Sequence, residues 1–518
     1  MLNHSGQLMR VFFLITSIFV SILARESLSK QPVPRVEFHH IVLVVAAAMM
    51  LLVESRNFVM LFVALETLTV GLYILVSYYR SNPRTLEAGL KYVVMGALSS
   101  ALLLFGIVLL YGVAGSPGLA GRTVEAMQYA GLRPFLEANP HNFLASAGIV
   151  LVLSGFAFKI GAVPFQIWIP DVYQGAPTPV SYTHLDVYKR QALYAALCAV
   201  TQRDIKKVLA YSTLSQLGYM VAAFGLGSVG AAMFHLTTHA FFKALLFLGS
   251  GSVILACHHE QDIFRMGGLR RKMPLTFWTF TIAVAAIIGL PGLAGFFSKD
   301  AILALAYGNN PAVFAVLAFT AVLTAFYMLR LWKIVFLGNP RSESADHAHE
   351  SGISITAPLV LLAALSIIGG YTHAYPSAFE GVFSRIPEAA GATHAIIFAV
   401  SIGVLVVGAG TALAFYATDG RDALEEKAPA AFRFLGELRT SFDSVYDYYV
   451  AKIQQRGAMI LNFVDIMGLG GLVVRGLGGA AEIVGFGLRA LHTGRLSNYV
   501  YWFLFGVVVF WAFAAGVL

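Results

Sequence analysis

The sequence predicts an all-α fold, a polytopic bundle of about eleven or twelve membrane-crossing helices of roughly 20 residues each. Three observations carry this. Of 518 residues, 58% are hydrophobic and only 12% charged, with mean hydropathy +0.74. Soluble domains run nearer about 45–50% apolar and about 25% charged, so lipid must be the solvent for much of this surface. The apolar residues also come in long unbroken runs, among them Leu90 to Val113, Leu144 to Ile167, Met273 to Phe297 and Tyr499 to Leu518. Backbone inside a bilayer has to satisfy its own hydrogen bonds, and runs of this length do so as helices rather than as barrel strands. Finally, the basic residues behind the net charge of +8 gather in short loops: Arg80, Arg84 and Lys91; Arg203, Lys206 and Lys207; Arg265, Arg270, Arg271 and Lys272; Arg330, Lys333 and Arg341. The positive-inside rule puts all four on the cytoplasmic face. Because these clusters only punctuate apolar runs, the expected partner is a lipid bilayer and no nucleic acid.

The elements follow in chain order. The first 25 residues, with Arg10 and Arg25 around a short apolar stretch and no small-residue cleavage site, read as a membrane helix shortened at its start rather than a leader peptide. Phe38 to Trp168 reads as four helices, the fourth preceded by a polar stretch at Glu137 to Asn142 and broken at Pro164. Val208 to Gly338 supplies four or five more, with Pro291 breaking a run that continues as Gly-Leu-Ala-Gly-Phe-Phe. A polar loop from Ser342 to Ser351 leads to helices at Thr356 to Tyr371 and His394 to Tyr416. From about Ser441 to Arg495, apolar residues alternate with Asp443, Asp447, Lys452, Arg456, Arg475, Glu482 and Arg489, which suits an amphipathic helix lying along a surface. A final membrane helix ends the chain.

One segment breaks the pattern. Ser181 to Gln191 (SYTHLDVYKRQ) is polar on every side. The run ending near Trp168 finishes on the cytoplasmic side, and Arg203 to Lys207 is cytoplasmic too. The residues between must therefore cross twice or not at all. Two crossings need about 40 apolar residues, and only Ala192 to Val200 is apolar. Either the segment lies outside the bilayer or a helix pair has been lost there, and loss is the reading adopted.

Chemistry-bearing residues stand out against this background. Glu66 lies inside Leu61-Phe-Val-Ala-Leu-Glu-Thr-Leu-Thr-Val, and a carboxylate in hydrocarbon is costly unless partnered and marks function by default. Lys159, in Gly155-Phe-Ala-Phe-Lys-Ile-Gly-Ala-Val-Pro, is its counter-charge; the plain alternative is a structural ion pair. His235, His239 and Lys243 fall at i, i+4 and i+8, on one face of a helix. Burial disfavours a charged lysine and histidine titrates near neutrality, so such a row suits a proton relay. Two His at i, i+4 also fit zinc, but no carboxylate or Cys completes a site nearby, and packing of satisfied polar groups is the plain reading. Lys299 and Asp300 follow the Gly289-Leu-Pro-Gly break, and Lys159 accompanies the break at Pro164. Two interrupted segments in corresponding positions of two halves point to an ion path, against a plain pair of proline kinks.

No cofactor is expected in this chain. Cys198 and Cys257 form no Cys-x-x-Cys pair, which excludes an iron–sulfur cluster held by this chain alone and suggests no disulfide framework. Gly225 to Gly230 fits G-x-G-x-x-G and Gly476 to Ala481 a looser form, but neither follows a strand, so the dinucleotide-binding context is missing.

Residues 37–181 resemble subunit N of bacterial NADH:quinone oxidoreductase, respiratory complex I, in "FVALETLTVGLYILVSY", "LEAGLKYVVMGALSSALLLFGI" and "GFAFKIGAVPFQIWIPDVYQGAPTPVS". Residues 195–518 resemble the paralogous subunit L in "DIKKVLAYSTLSQLGYM", "FHLTTHAFFKALLFLGSGSVILACHHEQDIFRMGGLRRKMP" and "GFFSKDAIL". The resemblance implies an inverted-repeat, antiporter-like architecture with two broken helices, and a chimera joined at the polar segment. It divides the chain into a partial leading helix (1–36), a subunit N-like half (37–181), the seam (182–194), a subunit L-like half (195–340), further membrane helices (341–440), a lateral amphipathic helix (441–495) and a terminal membrane helix (496–518). It further implies that Glu66 and Lys159 are the charged pair of the first half-channel, that His235, His239 and Lys243 are the central relay of the second, and that Lys299, with Asp300 beside it, is the exit-side lysine. The expected function is proton translocation in the bacterial inner membrane, with redox chemistry in other subunits and the lateral helix contacting neighbouring membrane subunits. Three departures stand against an intact path: the missing helix pair, a family lysine lost with it, and about two absent leading helices. The alternatives are a subunit of a multisubunit Na⁺/H⁺ antiporter or membrane-bound hydrogenase, and a hybrid reading frame with no function.

Overall fold

The computed structural model describes residues 4–29, 33–121, 123, 125–159, 172, 189–371, 391–416, 422–491 and 494–516. Among them there is no β-strand, only isolated bridges at Asn57–Gln128 and Asp204–Asp262. Two compact units are present, Met1–Arg439 and Thr440–Leu518. The first begins with α1 (His4–Ser29), α2 (Arg35–Glu54), α3 (Phe58–Val76), α4 (Pro83–Ala114), α5 (Tyr129–Ala138) and α6 (Phe143–Lys159). It continues with α7 (Lys189–Val200), α8 (Ile205–Gly225), α9 (Val229–Ala256), α10 (Pro274–Ile288), α11 (Ala294–Asn309), α12 (Pro311–Phe336), α13 (Ile353–Ile368) and α14 (Ala392–Phe415).

Among the described residues, seven helices are long and apolar enough to cross a membrane, and four shorter apolar ones lie at Met9–Ile22, Phe143–Lys159, Pro274–Ile288 and Ile353–Ile368. Their starts are written in the sequence. Asn57 caps α3 by accepting from Met60 N, Asp204 caps α8 through Lys206 N and Lys207 N, and Ser228 caps α9 through Ala231 N. Asn310 caps α12 with Pro311 behind it, where a missing N–H costs nothing. Large apolar side chains such as Val44, Val63, Phe105 and Phe143 stay exposed, as a lipid-facing surface requires. In contrast, most of α9 is buried.

Close approach of α4 and α6 depends on small residues. A Cβ on Gly106 would stand 2.7 Å from the Gly148 carbonyl oxygen, and one on Gly155 2.7 Å from Leu103 Cβ. Ser99 Oγ donates across this interface to Gly155 O at 2.9 Å.

The basic loops largely converge. Ile205 N bonds Gln261 O, Ile263 N bonds Arg203 O, and Arg270 N bonds Phe336 O, so three of the four clusters share one end of the bundle. Six of their members correct the loop assignment, Arg84 and Lys91 lying in α4, Lys206 and Lys207 in α8, and Arg330 and Lys333 in α12. Lys206 is buried in the first turn of α8, and Arg330 is fully buried within α12. A buried guanidinium has to be paired, and this one is: it donates to Asp422 Oδ2 (2.8 Å), Gln202 O (2.7 Å) and Tyr416 OH (3.0 Å).

Three other features differ from expectation or escape description. Glu137, the first residue of the polar stretch, belongs to an amphipathic helix, α5. The break at Pro164 and seam residues 182–188 lie outside the described residues. From Lys189 the chain is helical, and Ala192 is buried against α8, where a Cβ on Gly218 would meet it at 2.5 Å.

The amphipathic stretch starts at Pro429, not Ser441, with α15 (Pro429–Tyr448). It continues through a π-helical segment, Tyr449–Gln454, then α16 (Gln455–Val464), a second π segment, Asp465–Gly476, and α17 (Leu477–Leu491). Gly468, Gly470, Gly471 and Gly476 fall in the second π segment, and glycine holds α-turns less firmly than other residues. Helix α18 (Leu496–Ala514) ends the second unit.

Candidate functional site

The first cluster is built from three helices. Glu66 comes from α3, Ser100 from α4 and Lys159 from the last residue of α6. Lys159 Nζ donates to Glu66 Oε1 at 2.8 Å, to Ser100 Oγ at 2.8 Å and to Thr69 Oγ1 at 3.2 Å. Ser100 Oγ in turn donates to Glu66 Oε1 at 2.6 Å. The side chains of Lys159 and Glu66 are 8% and 26% exposed, so the acid, not the base, faces the more open side. The glycine-lined contact of α4 with α6 brings Ser100 and Lys159 within reach of each other.

The second cluster is enclosed. His235, His239 and Lys243 project from one face of α9, all buried, with the two imidazole centroids 6.1 Å apart. His235 Nδ1 lies 2.9 Å from Ser298 Oγ on α11, and Ser298 Oγ lies 2.8 Å from Thr238 Oγ1. The next residue on α11 is Lys299, buried, whose Nζ stands 5.6 Å from the ring centre of Tyr219. Tyr219 is itself 6.2 Å from His235, centroid to centroid. A file of imidazoles, hydroxyls and amines thus runs from Lys243 to Lys299.

The α10–α11 break positions Lys299. Gly289 terminates α10 in a left-handed conformation (φ 87°), which a residue without Cβ adopts freely. The end of α10 leaves the Ile287 carbonyl outside the helical ladder, and Lys299 Nζ donates to it. A Cβ on Gly295 would fall 2.0 Å from Ala286 O, so only glycine lets α11 start so close to the end of α10.

Of the residues singled out from sequence, Glu66 joins Lys159, and His235, His239 and Lys243 line up with Lys299. Asp300 stands apart. Its Oδ1 accepts from Ser401 Oγ on α14 at 2.6 Å, because successive helix positions point about 100° apart. Neither Lys243 nor Lys299 has an ion-pair partner among the described residues; Lys243 Nζ donates to Leu209 O at 3.2 Å. Ser100, Thr69, Ser298, Thr238 and Tyr219 were not anticipated. Hydroxyls inside apolar runs were their signal. Among the described residues no group of three or more His, Cys, Asp or Glu is placed to hold a metal.

Comparisons with known proteins give the chain a family. The family model "NADH:quinone oxidoreductase/Mrp antiporter, TM" matches residues 55–183 and 190–324, with an interruption at 184–189. NADH-quinone oxidoreductase subunit N 1 of Opitutus terrae is 43% identical over 415 residues, covering 71% of this chain and 81% of that protein. Subunit L of Mycobacterium tuberculosis is 34% identical over 508 residues, covering 89% and 78%. A chain in the structure of respiratory complex I from Thermus thermophilus with bound aureothin superposes with a TM-score of 0.55 at 27% identity, covering 71% of this chain and 85% of that one.

Proposed function

The chain belongs to the NADH:quinone oxidoreductase/Mrp antiporter family, and on that premise we propose that it is a proton-translocating membrane subunit of an NADH:quinone oxidoreductase. It is a multi-pass protein of the bacterial inner membrane, and its relatives are subunits of the oxidoreductase. In this reading, protons move along Lys243, His239 and His235 toward Lys299, while Glu66 and Lys159 set the charge state of the first half. The observation that carries it is the buried file on α9 and α11, where two lysines donate to carbonyls and, among the described residues, form no ion pair. Redox chemistry belongs to other subunits, and unit Thr440–Leu518 supplies the contact with them. Its exposed apolar side chains, Ile460, Phe463, Ile483 and Phe486 among them, support that role.

The test is NADH-driven proton uptake into inside-out vesicles, with assembly of the complex followed separately. Lys243→Ala should abolish most of the uptake while the complex still assembles. Uptake at the wild-type rate would remove the relay. Sodium-dependent flux without NADH would instead favour the antiporter reading.

A second reading concerns the gene. The family match stops at residue 183 and resumes at 190, on the polar segment itself. This supports a junction between two paralogous halves with a helix pair missing. Genomic DNA read across codons 181–191 decides it, since continuous coding there contradicts a hybrid. The substitutions are then made in whichever full gene carries the relay residues.

A further inference from the structure

Gln216 is fully buried in α8, and neither its Nε2 nor its Oε1 has a hydrogen-bond partner among the described residues. The same holds for Nε2 of His235 and Nε2 of His239. Buried polar atoms are almost always partnered, so four such atoms on three side chains call for a common explanation.

Register places them together. Helices α8 and α9 are joined by a short turn at residues 226–228 and pack side by side. Lys243 reaches Leu209 O, and Tyr219 lies beside His235, which fixes two rungs of the hairpin. Gln216 sits between those rungs, seven residues beyond Leu209 and so on the same helix face. The matching level on α9, seven residues back from Lys243, falls between His235 and His239. The carboxamide therefore stands at the height of the two imidazoles.

We propose that Gln216 is a further positioning residue of the conduction path, its carboxamide and the two histidine Nε2 atoms forming a pocket that binds water and passes a proton between the imidazoles. The proposal rests on the relay reading above. A buried water needs two to four polar partners, which this set provides. The carboxamide has donors and acceptors on one group and does not titrate, so it orients water without trapping a charge. His235 Nδ1 is engaged with Ser298, which leaves Nε2 as the nitrogen turned to the pocket. In the step, the N–H of one imidazolium gives its proton to the water oxygen, and a proton from that oxygen passes to Nε2 of the other imidazole. The water is regenerated and one positive charge has moved.

The experiment compares Gln216→Leu, Gln216→Ser and Lys243→Ala in the full complex, by NADH-driven proton uptake into inside-out vesicles and by thermal stability. Leucine fills the volume without polar atoms. Gln216→Leu should match wild type in stability or exceed it, yet fall to the uptake of Lys243→Ala. Gln216→Ser leaves room for a further water and should recover at least half of wild-type uptake. Wild-type uptake by Gln216→Leu, with Lys243→Ala blocked, overturns the role of Gln216 alone. Equal loss in the Leu and Ser variants overturns it too, since that is a packing defect. If Lys243→Ala pumps normally, the relay reading and this inference fall together.

Discussion

Lys159 shares Glu66 with Ser100, whereas among the described residues Lys243 and Lys299 donate hydrogen bonds to backbone carbonyls and form no ion pair. An ammonium held against a carboxylate gains from its charge, and breaking such a buried pair by removing one partner costs about 3–5 kcal/mol. An ammonium held by a single carbonyl has no such anchor, so its proton is the one free to move. The two kinds of site answer differently to substitution. Glu66→Gln keeps an oxygen to accept from Lys159 and Ser100, so the complex should assemble, seen on a native gel. Uptake in vesicles should fall severalfold, because the amide cannot exchange a proton. Unchanged uptake would leave Glu66 and Lys159 as a purely structural pair.

At the scale of elements, breaks and clasps do the positioning. The α10–α11 interruption uses Gly289 and Gly295 to bring Lys299 against the end of α10, where it caps the Ile287 carbonyl. A buried clasp joins α12, the end of α14 and the loop between α7 and α8. Arg330 contacts Asp422, Tyr416 and Gln202, and Tyr416 OH donates to Asp422 Oδ1 at 2.8 Å. The clasp lies apart from the relay, so its loss should show in stability before conduction. Asp422→Ala leaves a fully buried guanidinium without its acid and should cost about 3–5 kcal/mol. Adding Arg330→Met to Asp422→Ala should recover much of that loss. Thermal unfolding in detergent reads both, and an Asp422→Ala midpoint equal to wild type would contradict the clasp.

For the whole molecule, the helix positions and the row on α9 were legible because apolar run length and i, i+4 spacing are local signals. The partners of those residues were not. Ser298 and Tyr219 meet His235 only once α8, α9 and α11 have packed, and no spacing in the chain encodes that. Arg330 was misplaced for the same reason: a positive charge near a helix end looks solvated until Asp422, ninety-two residues on, is seen to pair with it. Asp300 looked like a partner of Lys299 by adjacency, and helix geometry sends it to Ser401. The central claim is that Lys243 works by gaining and losing a proton. Lys243→Arg tests it most directly, because Arg keeps both length and charge but holds its proton at any working pH. Measured as NADH-driven proton uptake in inside-out vesicles of normally assembled complex, Lys243→Arg should lose as much uptake as Lys243→Ala; near-normal uptake with Arg would contradict the relay and leave Lys243 a structural cation.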